Sequence, residues 1–240
     1  ISALKGMAFN DEKPVYPCST LMAMPLVLDK SYSGVVCALM DARRNQFYNA
    51  VFEIKNGDFI KDGKAVKLIS GAVHYFRNMP DTWTDIFKKM RAMGCNCVET
   101  YCAWNMHEKQ PEVYDFTGNL DIASFLKAAA EEGLMAIVRP GPYICSEWEF
   151  GGLPWWLQTD ESLEIRCMNK AYIRHFDRYL DRMCDEIRPL LVTNGGNVIM
   201  VQCENEYGYY GDDKQYLEYL RDGFIRRGID VPLFTSDGTS

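Results

Sequence analysis

From residue 51 onward, short apolar runs alternate with stretches whose apolar residues recur every three to four positions. The stretch "VFEIKNGDFIKDGKAVKLISG" predicts a β-hairpin around Asn56-Gly57, followed by a strand from Leu68 to Ala72. In "DTWTDIFKKMRAMG", Trp83, Ile86, Phe87, Met90 and Met93 share one helical face, with Asp81 capping the start and Gly94 the end. "CNCVETY" reads as the second strand, and "NLDIASFLKAAAEEG" as the second helix, stopped by Gly133. "LMAIVRP" is apolar almost throughout, as expected of a strand covered on both faces. Tyr172, Ile173, Phe176, Tyr179, Leu180, Met183 and Ile187 trace a long third helix. "NVIMVQC" is the fourth strand, Lys214 to Arg227 a fourth helix closed by Gly228, and "VPLFTS" the fifth strand.

Strand–helix alternation of this kind means parallel strands joined by right-handed crossovers. An open doubly wound sheet and a (β/α)8 barrel both satisfy it. No G-x-G-x-x-G or P-loop follows the first strand, which removes the main support for a nucleotide-binding sheet. Polar and aromatic residues instead gather after the strands' C-terminal ends, where barrel sites are built. The expected fold class is α/β: a (β/α)8 TIM barrel, with about five of its βα units in residues 51–240. Residues 1–50 do not share the rhythm and are set apart as an N-terminal extension.

The chain has 240 residues, 48% of them hydrophobic, which is ample for a core. Net charge is −7, so no nucleic-acid partner is expected, because phosphate binding needs a basic face. The nine cysteines form no C-x-x-C and read as small buried hydrophobes in a reducing, cytoplasmic compartment. A secreted or lysosomal-type compartment stays open if natural sequence precedes Ile1. "TLMAMPLVL", Thr20 to Leu28, follows acidic rather than basic residues and is interrupted by Pro25, so it does not read as a signal peptide. No run approaches the roughly 18 apolar residues of a membrane span, so no membrane partner is expected.

The chemistry-bearing residues lie at three strand ends. Strand two leads into Tyr101, Trp104, Asn105, His107 and Glu108. Strand three leads into "RPGPYICSEWEFGGLPWW", with Arg139, Tyr143, Glu147, Trp148, Glu149, Trp155 and Trp156. Strand four delivers Glu204, Asn205 and Glu206. Four of the five tryptophans thus fall on one predicted face beside carboxylates and an amide. That mixture suits a sugar, whose hydroxyls need polar partners and whose C–H face needs a flat apolar surface. Any single Trp is more often packing; the convergence from three strands carries the reading.

Glycoside cleavage needs two carboxyls, one held protonated and one ionised, with the sugar between them. Glu204 and Glu206 are two apart on one strand and cannot be that pair. Glu206, at the tip, is the acid candidate, and Glu204, deeper, is a structural carboxylate. Metal chemistry fares poorly: His74, His107 and His175 are scattered and "HEKQP" fails H-E-x-x-H. No G-x-S-x-G occurs, and Cys145 has no His in a recognisable motif. No metal or cofactor is expected.

"ISGAVHYFRNMPDTW", "VETYCAWNMHE", "VRPGPYICSEWEFGGLPWWL" and "NGGNVIMVQCENEYGYYG" closely resemble family 35 glycoside hydrolases, the β-galactosidases, from about Phe52 onward. The resemblance implies a barrel that hydrolyses terminal non-reducing β-D-galactosyl residues with retention, acting on a β-galactoside oligosaccharide or glycoconjugate. It implies Glu206 as acid/base, with Tyr101, Cys145, Ser146, Glu147 and Asn205 lining the galactose subsite. The nucleophile it implies is a Glu on strand seven, beyond Ser240. The other reading is a catalytically incomplete sugar-binding fragment of such an enzyme. Lys109 and Asn197 stand where the family usually has Pro, and Ser146 where Ala is common.

Overall fold

The computed structural model describes residues 34–41, 47–54, 60–61, 64–65 and 67–237. They fall into two compact units, Ile1–Val66 and Lys67–Ser240. In the first, β1 (Gly34–Asp41) pairs antiparallel with β2 (Phe47–Ile54), and β3 (Ile60–Lys61) with β4 (Lys64–Ala65). The expected hairpin around Asn56-Gly57 is therefore corrected: β2 takes its partner from the preceding segment, and Asn56 and Gly57 lie outside the described residues. An apolar–polar alternation marks a strand but does not name its neighbour.

In the second unit, β5 (Ser70–Ala72), β6 (Cys97–Tyr101), β7 (Met135–Arg139), β8 (Val198–Gln202) and β9 (Leu233–Phe234) form one sheet, parallel at every pairing. The strands lie side by side in chain order. A doubly wound sheet needs a reversal of that order; an unbroken sequence with crossovers of one hand keeps all helices on one face and curls into a barrel. The barrel reading holds.

Helices α1 (Pro80–Ala92), α3 (Ile122–Glu131), α4 (Lys170–Ile187) and α5 (Lys214–Arg226) cover the outer face, and α2 (Trp104–His107) is a single turn after β6. Asp121, Asn169 and Asp213 cap α3, α4 and α5 by accepting backbone N–H groups. The cap of α1 is Met79, with Pro80 opening the helix, so Asp81 sits in the first turn instead of capping it. Met93, expected on the buried face, follows the last turn and is 74% exposed. All seven apolar positions read for α4 are buried. Phe125 of α3 packs edge-on against Trp83 and Phe87 of α1, at 5.4 and 5.0 Å between ring centroids.

One irregularity decides what faces inward. Ala136 pairs with Val198, but Ile137 pairs with Met200, so Ile199 is an extra residue in β8. Such a bulge restarts the in–out alternation. Val198 and Val201 both pack into the helix-side core as a result, and Gln202 pairs away from it, toward the barrel interior. Asn197, before the bulge, donates from Nδ2 to the carbonyls of Leu126 and Leu134, both at 3.0 Å, tying the start of β8 to α3 and the start of β7.

Candidate active site

The inward side chains of three strands meet at Asn205. Arg139 donates from Nε to Gln202 Oε1 (2.6 Å) and from Nη2 to Asn205 Oδ1 (3.1 Å). Its guanidinium lies 4.0 Å from the centre of the Tyr101 ring. The Tyr101 hydroxyl and Gln202 Nε2 also donate to Asn205 Oδ1, at 3.3 and 3.2 Å. Three donors on one oxygen fix the amide plane. Asn205 is buried, yet its Nδ2 has no acceptor among the described residues.

The two carboxylates flanking Asn205 are opposites. Glu204 is buried and accepts four hydrogen bonds: from Arg166 Nε (3.1 Å) and Nη2 (2.8 Å), Asn205 N (2.7 Å) and the Tyr216 hydroxyl (2.9 Å). Burial pushes its carboxyl up, while Arg166 and the other donors oppose that. Burial would lower Arg166 in turn, but Glu204's charge and hydrogen bond, with Tyr216 and Tyr172, together raise the guanidinium, and the two stand as an ion pair at 2.8 Å. Glu206, half-buried at the tip, has its backbone N–H on the Ser236 carbonyl (2.7 Å), while its carboxylate has no hydrogen-bond partner among the described residues. Burial raises its carboxyl; Arg139 and Arg166 pull it down and Asp237 adds to the rise. Both glutamates have left-handed backbones, φ 62° and 51°, which aims the two side chains apart from a regular strand course.

The loop after β7 supplies the next wall. Cys145, Ser146 and Glu147 are three consecutive left-handed residues, φ 55°, 57° and 42°, each costing on the order of 1 kcal/mol or more. Ser146 is buried, Cys145 half-buried and Glu147 exposed, its carboxylate without a partner among the described residues. Tyr143 lies with its ring centre 4.0 Å from the Arg166 guanidinium, and Tyr210 at 4.2 Å. The backbone of Gly151 carries the Tyr143 ring: a Cβ there would meet it at 1.9 Å.

The tryptophan reading needs correction. Trp104 is fully buried and stacked on Tyr179, at 4.9 Å, and Trp156 packs edge-on against Trp104. Trp104 Nε1 donates to Glu108 Oε2 (2.5 Å) and Trp156 Nε1 to the Glu108 carbonyl (3.0 Å), so Glu108 is a structural acceptor as well. Trp148 and Trp155 remain outside the core interior, Trp155 at 61% exposed. A loop position in sequence does not distinguish a ring facing a ligand from one filling the gap between helix and barrel.

The histidines are structural in three separate places. His107 is buried, bonded through Nδ1 to the Asp115 carbonyl and through Nε2 to the Tyr75 hydroxyl; burial lowers it to about 4. His74 accepts the Tyr101 N–H at Nδ1 (3.3 Å), and burial, then Arg77 and Arg139, lower it to about 3. His175 packs edge-on against Trp156. Among the described residues no group of three or more His, Cys, Asp or Glu could hold a metal, and no helix is long and apolar enough to cross a membrane.

Sequence reasoning missed Gln202, Arg166 and Tyr216. Gln202 carried a signal, as the one polar residue inside "VIMVQC". Arg166 and Tyr216 carried none, since they reach Glu204 from an irregular loop and from α5.

The architecture is that of a β/α-barrel protein with a carboxylate–amide–carboxylate site at its strand tips. A fold likeness agrees: the GH5_18 structure from Streptomyces cattleya in complex with GlcNAc superposes with a TM-score of 0.57 at 14% identity, covering 71% of this chain and 44% of that one. The family model described as "Glycosyl hydrolases family 35" matches residues 58–240, and the chain belongs to that family. It is 42% identical over 222 residues to a beta-galactosidase of Bos taurus, covering 92% of this chain and 33% of that protein. It is 41% identical over 220 residues to beta-galactosidase 8 of Oryza sativa subsp. japonica, covering 91% and 31%. The chain thus spans about a third of the length of the curated relatives it matches. A match over 222 of 240 residues can leave only 18 unmatched, so the similarity reaches into the first fifty residues, further than the motifs do.

Proposed function

We propose that the protein containing this chain hydrolyses terminal β-D-galactosyl residues of oligosaccharides or glycoconjugates with retention, with Glu206 as acid/base. The observation that carries this is the contrast at the tip of β8. Glu204 is saturated by four donors, whereas Glu206 and Asn205 Nδ2 are left open side by side. A carboxyl raised by partial burial holds its proton to higher pH than an ordinary one and can pass it to a departing glycosidic oxygen. Asn205 Nδ2 donates to a sugar hydroxyl beside the reacting carbon. Glu147, exposed and unpaired among the described residues, accepts hydroxyl hydrogen bonds, while Tyr101, Cys145 and Ser146 line the galactose subsite. The nucleophilic carboxylate belongs across the site, about 5–5.5 Å from Glu206 in a retaining enzyme, on a later strand of the longer protein.

The test is a leaving-group series on the full-length protein. Glu206→Gln should lower turnover of alkyl β-galactosides by roughly 10²–10⁴-fold and that of activated aryl β-galactosides far less, because only poor leaving groups need the proton. Equal losses across the series would remove Glu206 from the acid role. Galactose binding by the unsubstituted protein without hydrolysis of any member would favour a sugar-binding function instead.

A further inference from the structure

We propose that Arg77, in the turn after β5, is a positioning residue that holds the Cys145–Ser146–Glu147 segment in its substrate-facing shape. The kinetic part rests on the function proposed above; the geometry does not. Arg77 ends a short 3-10 turn, Tyr75–Arg77, anchored by two buried rings. Tyr75 is hydrogen-bonded to His107, and Phe76 meets the Trp148 ring edge-on at 4.9 Å. From this base the Arg77 Nη2 donates to the Ser146 carbonyl, and the guanidinium lies 5.0 Å from the Trp148 ring centre and 5.6 Å from that of Phe76. Trp148 is held in turn by its Nε1 on Asn105 Oδ1 at 3.0 Å.

The segment needs such a hold. Left-handed backbone at three successive residues with side chains persists only where surroundings over-determine it. Within the loop, two backbone bonds span it, Trp148 N–H to the Cys145 carbonyl at 3.0 Å and Ile144 N–H to the Gly151 carbonyl at 2.8 Å, and neither is made by the segment's middle residue. Arg77 makes the side-chain hydrogen bond to its backbone, at the middle residue, and no other described side chain does. A planar guanidinium can stack on Trp148 and donate in its own plane to Ser146 together; a lysine ammonium is a point donor without the flat stacking surface. Released, the three residues relax toward right-handed backbone, and the Cys145 and Glu147 side chains change direction.

The experiment uses the full-length protein with Arg77→Lys and Arg77→Met, each alone and combined with Glu147→Gln. On an aryl β-galactoside, both single substitutions should lower kcat/KM by about 10²-fold, the scale of an ångström misplacement, with the thermal midpoint little changed. In the Glu147→Gln background the further loss should nearly vanish, since the two act as one unit. A second readout needs no turnover: peptide-resolved alkylation by iodoacetamide. Cys145 should label about tenfold faster in the Arg77 variants, once the segment opens. The thiols of Cys95 and Cys167, half-buried elsewhere, serve as references. Unchanged Cys145 labelling, or a full additive loss in the double variants, overturns the proposal. If the unsubstituted protein cleaves no galactoside, the function reading falls and the labelling alone decides Arg77. Should Arg77→Met fail to fold, Arg77→Lys carries both measurements.

Discussion

Glu206 takes its protonation behaviour first from burial and then from the charges of Arg139, Arg166 and Asp237, and one of those charges can be removed cleanly. Asp237, beyond β9, raises the Glu206 carboxyl, while its own Oδ1 accepts the Gly208 N–H at 2.8 Å. Asp237→Asn keeps that acceptor and deletes the charge. The acid must be protonated to act, so its activity is lost as pH rises through its pKa. Removing a group that raises the pKa moves this basic limb of kcat/KM to lower pH, as a pH profile of the full-length protein will read. A limb that stays put, or moves up, would mean that Asp237 does not act on the catalytic proton. That Glu204 lies deeper than Glu206 is legible in the sequence from their positions at one strand end. What holds Glu204 is not: Arg166 and Tyr216 lie 38 and 12 residues away along the chain, and hydrogen bonds at such separations leave no periodic trace. Trp104 and Trp156 show the converse, rings whose sequence context suggested a ligand surface and whose indole N–H groups both ended on Glu108.

At the level of elements, the loop from Gly141 to Gly152 sets the shape of the site, and its glycines are not equivalent to Gly118, which opens a short 3-10 turn. Gly118 and Gly151 share φ +59°, but a Cβ at Gly118 meets nothing within 4 Å, whereas one at Gly151 enters the Tyr143 ring at 1.9 Å. Gly118→Ala therefore reports the backbone cost alone, about 1 kcal/mol. Gly151→Ala adds an overpacking term of roughly 1–3 kcal/mol and drives Tyr143 off Arg166, so its urea midpoint should fall clearly further and activity should fall with it. Equal midpoints for the two variants would show that the ring gives way freely. Helices were the readable elements, because α4 repeats its apolar face over five turns of regular spacing. The Ile199 bulge was not readable: "NVIMVQC" is apolar on both sides of the inserted residue, so no alternation existed to be broken. Yet the bulge is what turns Gln202 inward to Arg139 and Asn205.

For the whole molecule, strand order settled what alternation alone left open, since a barrel arc and a doubly wound sheet differ only in which strands are neighbours. The arc itself has two ends. β5 and β9 each bond one neighbour in the sheet, and Glu99 Oε2, in the interior 3.9 Å across from Arg139 by its other oxygen, is buried without a donor among the described residues. A buried carboxylate oxygen left so costs about 1–3 kcal/mol or more. The chemistry has the same gap. Retention needs a second carboxylate on the far side of the scissile bond from Glu206. The described carboxylate whose charge raises Glu206 is Asp237, which comes from the adjacent strand and is engaged by Gly208. Residues 1–240 expressed alone are therefore expected to give no turnover of an aryl β-galactoside, whereas the longer protein is expected to give it. Hydrolysis by the 240-residue chain that Glu206→Gln abolishes would overturn this. It would place the nucleophile within the present sequence, or show that two copies close each other's barrel and bring a carboxylate of one across from Glu206 of the other. Sedimentation of the active species would separate the two, because only the second requires a dimer.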